Sequence, residues 1–245
     1  MLIQEARRQL LKVRAYLPWL RARHRREAMV GPLGHWEELR AYQLKALTQN
    51  GMRPHHRLLD IGCGPLQGGI AFIQHLDPRG YTGLDLDSRK LSEGYRQIGD
   101  TGNAPRNPRL ILSRSFGAEE LGDETFDFIW ASQVLYYFDP ETMKRLFTQV
   151  ARRLAAGGRF LGDILGTCEP EFRTRRHLAW MASVQPHTVE KLDALASPLG
   201  LRARSLGVIG QFGYPPTLNL RSNILVEVSR RAESTQASGS HLSNN

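Results

Sequence analysis

The feature that most restricts the fold of this chain is a regular alternation of strand-like and helix-like segments between residues 57 and 165. Short apolar runs such as RLLDI (57–61) and FDFIWAS (126–132) are separated by stretches with helical periodicity. This alternation is typical of βαβ units, in which helices cover both faces of a parallel sheet. We therefore predict an α/β fold with a doubly wound, mostly parallel sheet.

The end of the domain follows a different pattern. A helix is predicted over 140–155, ending at the Gly157-Gly158 pair, and the strand RFLGDIL (159–165) follows it. The segments 201–208 and 223–229 alternate more clearly between apolar and polar residues and are close in sequence. They predict a C-terminal antiparallel hairpin that completes a seven-stranded sheet.

The two ends of the chain have compositions of their own. Residues 1–30 carry eight Lys/Arg and two Glu, a net charge of +6 out of +9, and apolar residues recur there at helical spacing. We predict a basic amphipathic helical arm over 1–30, a domain over 31–230 and a disordered, Ser-rich tail over 231–245. The arm either packs on the domain with its basic face in solvent or meets anionic lipid, nucleic acid or an acidic partner.

Composition excludes several classes of protein. The two cysteines, Cys63 and Cys168, provide neither a disulfide framework nor a metal-ligand spacing, so we expect a reducing, cytoplasmic environment and no metal site. No stretch approaches the roughly 20 apolar residues of a membrane span. Arginines interrupt every apolar run near the N-terminus, which argues against a signal peptide.

The segment LLDIGCGPLQGG (58–69) places an acid at a strand tip and a glycine turn directly after it. A triphosphate-binding loop would follow such glycines with Lys and Ser or Thr, but Ile70 and Ala71 stand there. A dinucleotide-binding turn would have glycine at position 67, which is Gln67. Because the Asp60 carboxylate would repel a phosphate, we favour a cationic or amine-bearing ligand over these alternatives.

The glycine turn and three later segments together resemble the class I S-adenosylmethionine-dependent methyltransferases. LLDIGCGPLQGG resembles their motif I, YTGLDLD their second motif, ETFDFIWASQVLYYF their fourth strand, and RRLAAGGRFLGDIL their fifth. The four segments occur in the right order within about residues 50–230. The resemblance implies a Rossmann-like seven-stranded sheet and S-adenosyl-L-methionine as cofactor.

The resemblance also implies a set of cofactor-binding residues. The acid-and-glycine turn would border the methionine part, Asp85 would bind the ribose diol, and Leu86 would pack on the adenine. Ser115 and Phe116 fall where relatives recognise the adenine amino group, and strand four ends at the methionine carboxylate and the transferred methyl. The complete set is Asp60, Gly62, Cys63, Gly64, Asp85, Leu86, Ser115, Phe116, Ser132 and Gln133. Asp87 is expected to cap the following helix instead.

The implied reaction is methyl transfer by direct displacement, which depends mainly on aligning donor and acceptor. Strand four ends in ASQV and lacks the Asn-Pro-Pro-aromatic signature of relatives that methylate base amines, so we favour a small-molecule acceptor, including a sugar or lipid-linked glycan precursor, over nucleic acid. The alternatives are an RNA methyltransferase and a non-catalytic S-adenosylmethionine-binding partner protein. The arm adds a possible peripheral contact with anionic membranes. Candidate general bases, chosen by type and rough location, are Tyr137, Asp139, His177, His187 and Tyr214.

Overall fold

The computed structural model describes residues 22–165, 184–218 and 220–231. The helices in this part of the chain are α1 (Ala22–Val30), α2 (Trp36–Gln49), α3 (Gly69–His75), α4 (Ser88–Asp100), α5 (Pro140–Arg153) and α6 (Val189–Ala196). The strands are β1 (Leu58–Ile61), β2 (Tyr81–Asp85), β3 (Arg109–Leu112), β4 (Phe126–Ala131), β5 (Leu154–Ile164), β6 (Leu201–Val208) and β7 (Ile224–Arg230).

The strands form one seven-stranded sheet in the order β3-β2-β1-β4-β5-β7-β6. The first five pair in parallel, while β7 is antiparallel to both β5 and β6. This confirms the predicted doubly wound sheet and its C-terminal antiparallel hairpin. The strand order reverses between β1 and β4, and such a switch point opens a crevice at the carboxyl ends of the strands.

Apolar residues cover both faces of the sheet, because successive side chains of a strand point to opposite sides. Leu58 packs in one core with the inner faces of α2, α3 and α4, whereas Leu59 packs in a second core with α5 and α6. Trp36 and Tyr42 of α2 are fully buried, as expected for core residues. Asp60 belongs to the same face as Leu58 and lies opposite Gly83 in the β1–β2 ladder.

The junction between α5 and β5 differs from the prediction. The helix ends at Arg153, and the strand begins at once with Leu154 instead of at residue 159. Leu154 pairs with Phe126 across an irregularity in the β4–β5 ladder, so backbone pairing with the neighbouring strand takes this residue out of the helix. The glycines lie inside the strand, where Gly157 adopts φ +73°.

The N-terminal region is described only from Ala22, so most of the predicted arm lies outside the described residues, as does the tail from residue 232. The part that is described, α1, contacts α4 and places the Arg26 guanidinium carbon 5.1 Å from the centre of the Trp36 ring. This contact agrees with an arm that packs on the domain. The division into arm, domain and tail stays a prediction.

Candidate functional site

The glycine turn after β1 is held to the neighbouring strand by its own backbone. The N–H groups of Gly62 and Cys63 donate to the carbonyl of Leu84 at 2.8 and 2.9 Å. Gly62 has φ +75°, and a Cβ there would lie 2.6 Å from Cγ1 of Val134. Any side chain at this position would therefore push apart the turn and the segment after β4.

Asp85 lies at the end of β2 and connects the turn to the start of α4. One carboxylate oxygen accepts a hydrogen bond from the Gly64 N–H at 2.9 Å, and the other accepts from the Asp87 N–H at 2.8 Å. A carboxylate has about four acceptor positions, so these bonds leave capacity for two further donors. The next residue, Leu86, is 68% exposed and adds apolar surface beside this acid. Asp87 caps α4 through the Arg89 N–H, as predicted.

Asp60 faces into the core instead of toward the strand tips. Its carboxylate is 4% exposed and accepts a hydrogen bond from the Tyr81 hydroxyl at 2.7 Å. Burial raises the pKa of this carboxyl to about 7, with the Tyr81 bond opposing the shift and the Asp85 charge adding to it. Cys63 is buried on the same side, where desolvation raises the pKa of its thiol well above the usual value. These two side chains support the turn from behind.

The loop after β3 is organised by a serine that the sequence analysis did not select. The Ser113 hydroxyl oxygen accepts from the N–H groups of Ser115 at 3.2 Å and Gly117 at 2.9 Å and donates to Glu120 at 3.0 Å. Ser115 is half-buried in this loop. Phe116 has φ +56°, and its ring meets that of Phe138 edge-on at 5.4 Å between centroids. Phe116 therefore has an aromatic partner within the protein.

A buried arginine fixes the far side of the same loop. Arg153, at the end of α5, is fully buried and donates to the carbonyls of Gly117 at 2.6 Å and Gly122 at 3.1 Å. Hydrogen bonds to a charged donor are among the stronger ones in proteins. The loop is thus held in place without a ligand.

The tip of β4 is fixed by a buried acid from β5. Gln133 adopts φ +57°, its N–H donates to Asp163 at 2.7 Å, and its side-chain amide donates to the Tyr214 hydroxyl at 3.1 Å. Asp163 is fully buried, and its second oxygen accepts from the Asn223 amide at 3.1 Å. Burial raises the pKa of Asp163, and the Gln133, Asn223 and Ser132 hydrogen bonds oppose that shift. The sequence signal for Asp163 was an acid within the apolar run FLGDIL.

Tyrosine side chains surround this buried acid. The rings of Tyr42 and Tyr214 meet edge-on with 5.2 Å between centroids, and Tyr136 is 2% exposed nearby. The buried Tyr42 hydroxyl has no hydrogen-bond partner within the described residues. Burial first, and then the negative charge of Asp163, raises the pKa of all three phenols. They therefore stay protonated and keep their hydroxyl hydrogens.

Three of the four described candidates for a general base, Tyr137, Asp139 and His187, lie around Phe138. Asp139 caps α5 through the Thr142 N–H at 2.7 Å, and that bond holds its pKa below the usual range. His187 lies with Nε2 2.8 Å from the Phe138 carbonyl oxygen, while Tyr137 is 50% exposed. Tyr214 belongs to the tyrosine group around Asp163. His177 lies outside the described residues.

Residues 22–165, 184–218 and 220–231 contain no group of three or more His, Cys, Asp or Glu side chains that could hold a metal ion. Within the same ranges, no helix has the length and apolar character needed to cross a bilayer.

The comparisons with known proteins agree with this geometry. Residues 59–160 match a family model described as a methyltransferase domain. Geranyl diphosphate 2-C-methyltransferase from Saccharopolyspora erythraea is 31% identical over 117 residues, which make up 45% of this chain and 37% of that protein. The match thus spans little more than a third of the relative.

Solved structures resemble the whole domain. Magnesium protoporphyrin IX methyltransferase from Synechocystis with bound SAH superimposes with a TM-score of 0.62 at 13% identity, covering 91% of this chain and 94% of that one. The CcbJ methyltransferase from Streptomyces caelestis gives the same TM-score and identity, covering 89% and 96%. At such identity the likeness concerns the fold, which is that of class I methyltransferases.

Proposed function

We propose that this chain, which carries a methyltransferase domain of the class I fold, transfers a methyl group from S-adenosylmethionine to a small organic molecule. One observation carries the proposal. Asp85 ends β2, which neighbours the strand β1 where the order reverses, and it binds the glycine turn through the Gly64 N–H and stands beside the exposed Leu86. The free acceptor positions of the Asp85 carboxylate suit the two ribose hydroxyls of a nucleoside, and the apolar surface of Leu86 suits its flat base.

The residues at the strand tips fit the rest of this cofactor. Gly62 and Gly64 have no side chains, so Val134 and Val30 pack closely against the turn, which is our candidate for the surface that meets the methionine part of the cofactor. The acidic side chains Asp60, Asp85 and Asp163 lie beneath or beside these strand tips, and in their ionised form they suit a sulfonium group and an ammonium group. Ser115 and the backbone of its loop are our candidates for the adenine edge. Ser132 and Gln133 are our candidates for the methionine end.

The bound cofactor supplies a methyl group that is already activated by the positive sulfur. The protein's task is then to align the acceptor with that methyl and to exclude water. The tyrosines around Asp163 suit this task, because their raised pKa values keep the hydroxyls neutral and able to donate hydrogen bonds. Their rings are almost wholly buried, so they form an aromatic support beneath the β4 tip.

We favour a small-molecule acceptor on two grounds. The tyrosine group and Phe138 make the surroundings of the β4 tip aromatic, and the relatives named above include methyltransferases of geranyl diphosphate and of a porphyrin. A sugar or lipid-linked glycan precursor remains our finer hypothesis within that class. Contact of the basic arm with nucleic acid or anionic membranes remains a separate proposal.

A labelling experiment tests the function. The full chain is incubated with methyl-labelled S-adenosylmethionine and a small-molecule extract, and labelled products are separated by mass. We expect a labelled organic product with the wild type and a much weaker signal with Asp85→Ala. Calorimetry with S-adenosylmethionine and with NAD runs in parallel. Tight NAD binding with no response to S-adenosylmethionine would overturn the proposal, whereas tight cofactor binding without any product would favour the non-catalytic binding protein.

A further inference from the structure

Asp163 is a buried acid without a cation to balance it. Its side chain is fully buried in β5, and none of the ion pairs within the described ranges involves it. Its partners include the neutral donors of Ser132, Gln133 and Asn223. Burying a carboxylate in this way is unfavourable unless something compensates for it. If position 163 only filled space in the core, an apolar residue would stabilise the fold as well as this aspartate does.

The first effect of Asp163 is geometric. Gln133 has a left-handed backbone, which costs a residue with a side chain roughly 1–2 kcal/mol. The 2.7 Å bond from its N–H to Asp163 compensates for that strain and fixes the residue that follows Ser132 at the β4 tip. The Asn223 amide, contributed from just before β7, holds the other oxygen and so orients the carboxylate.

The second effect is electrostatic. The Asp163 charge contributes to the raised pKa values of Tyr42, Tyr136 and Tyr214, which come from α2, from the segment after β4 and from the segment after β6. The Asp163 charge therefore acts on side chains from three parts of the chain around the β4 tip. A cation placed there is stabilised, and a neutral group of the same shape is not.

We propose that Asp163 is a positioning residue that fixes the β4 tip and whose buried negative charge favours the sulfonium of S-adenosylmethionine over the neutral thioether of S-adenosylhomocysteine. The inference rests on the proposed function and adds to it a means of exchanging product for fresh cofactor. Donor and product differ at the sulfur by one methyl group and one positive charge. A preference based on charge therefore acts on this difference directly.

The test compares the affinities of both ligands for the full chain by calorimetry at pH 8. Asp163→Asn keeps an acceptor for the Gln133 N–H but removes the charge. We expect it to weaken S-adenosylmethionine on the order of tenfold more than S-adenosylhomocysteine. The ratio of the two affinities does not depend on the fraction of folded protein. Asp163→Ser serves as a second neutral variant if the first does not fold.

Two further variants separate charge from structure. The exchange Asp163→Asn with Asn223→Asp restores one carboxylate and one amide at the same 3.1 Å contact, so the wild-type preference should return. Asp127→Asn removes an acid at the other end of the neighbouring strand β4, where it accepts from the Arg57 N–H at 2.8 Å, and should leave the ratio unchanged.

The outcomes are distinguishable. Equal weakening of both ligands by Asp163→Asn, or an unchanged ratio, overturns the inference while leaving the proposed function intact. Failure of the exchange variant to recover the ratio, although it folds and binds, also overturns it. If the wild type binds neither ligand, the proposed function itself fails and the inference fails with it.

Discussion

At the scale of single residues, two acids close together in sequence have different tasks. Asp85 holds the glycine turn and keeps acceptor capacity for a ligand, whereas Asp87 caps a helix. Each charge-assisted hydrogen bond to a ribose hydroxyl is worth roughly 1.5–3 kcal/mol. Asp85→Ala should therefore weaken S-adenosylmethionine by about tenfold to a thousandfold. Asp87→Ala should lower the free energy of unfolding by about 1 kcal/mol and leave affinity nearly unchanged.

Calorimetric titration and melting curves of both variants test this difference. A loss of affinity in Asp87→Ala as large as that in Asp85→Ala would show that the ribose site has been assigned to the wrong acid.

A second prediction at this scale concerns pH. The pKa of Asp60 is about 7 in the folded protein, against about 3.9 in an unfolded chain. Between about pH 4 and pH 7, unfolding therefore releases a proton from Asp60. The contribution of Asp60 to the free energy of unfolding is highest below about pH 4 and declines as the pH rises to about 7. The decline is on the order of 4 kcal/mol. Asp60→Asn retains an acceptor for Tyr81 and should remove this decline.

Urea unfolding at pH 5 and pH 8 measures the effect as the difference between wild type and variant. Asp100→Asn, which changes an exposed acid at the end of α4, is the matched control. A wild type and an Asp60→Asn variant with parallel pH profiles would contradict the assignment.

At the scale of elements, α1 reaches the glycine turn. A Cβ at Gly64 would lie 3.2 Å from Cγ1 of Val30, the last residue of that helix. The Gly34 N–H donates to Glu27 at 3.0 Å, which ties the end of α1 to the segment before α2. Truncation through residue 28 removes Glu27 but keeps Val30 and every proposed cofactor-binding residue, so it should leave cofactor affinity within a few-fold. Truncation through residue 34 uncovers the turn and should weaken binding further.

Calorimetry on the two truncated proteins, with melting curves as the control for folding, decides the matter. Loss of binding on removal of residues 1–28 alone would make the arm part of the cofactor site.

The elements also show how far sequence reasoning extends. The alternation of apolar runs predicts the strands because each strand is buried on both faces, and the glycine turn follows from local constraints on the backbone. The contact between Asp163 and Asn223 was not predicted. Those residues are 60 positions apart and meet only because β7 inserts antiparallel between β5 and β6. Ser113 was also missed, because its hydrogen bonds depend on how the loop after β3 folds back.

At the scale of the whole molecule, charge is concentrated at one end. Residues 1–30 account for +6 of the net +9. If the protein associates with anionic vesicles or nucleic acid, replacing Arg21, Arg23, Arg25 and Arg26 with Gln should abolish that binding and its salt dependence. A matched control replaces four exposed arginines elsewhere, Arg53, Arg79, Arg202 and Arg221. Sedimentation with vesicles at two salt concentrations measures both proteins, and binding that survives only in the arm variant would assign the contact to the domain.

The antiparallel end of the sheet has a consequence for how such a molecule can diversify. The match to the methyltransferase family ends at residue 160, and the glycine turn and Asp85 lie within it. Asp163, Tyr214 and Asn223 come after it, from β5 onward. Under our proposal, mutation or recombination downstream of residue 160 can therefore alter the side of the site built by Asp163, Tyr214 and Asn223, while the glycine turn and Asp85 are inherited unchanged.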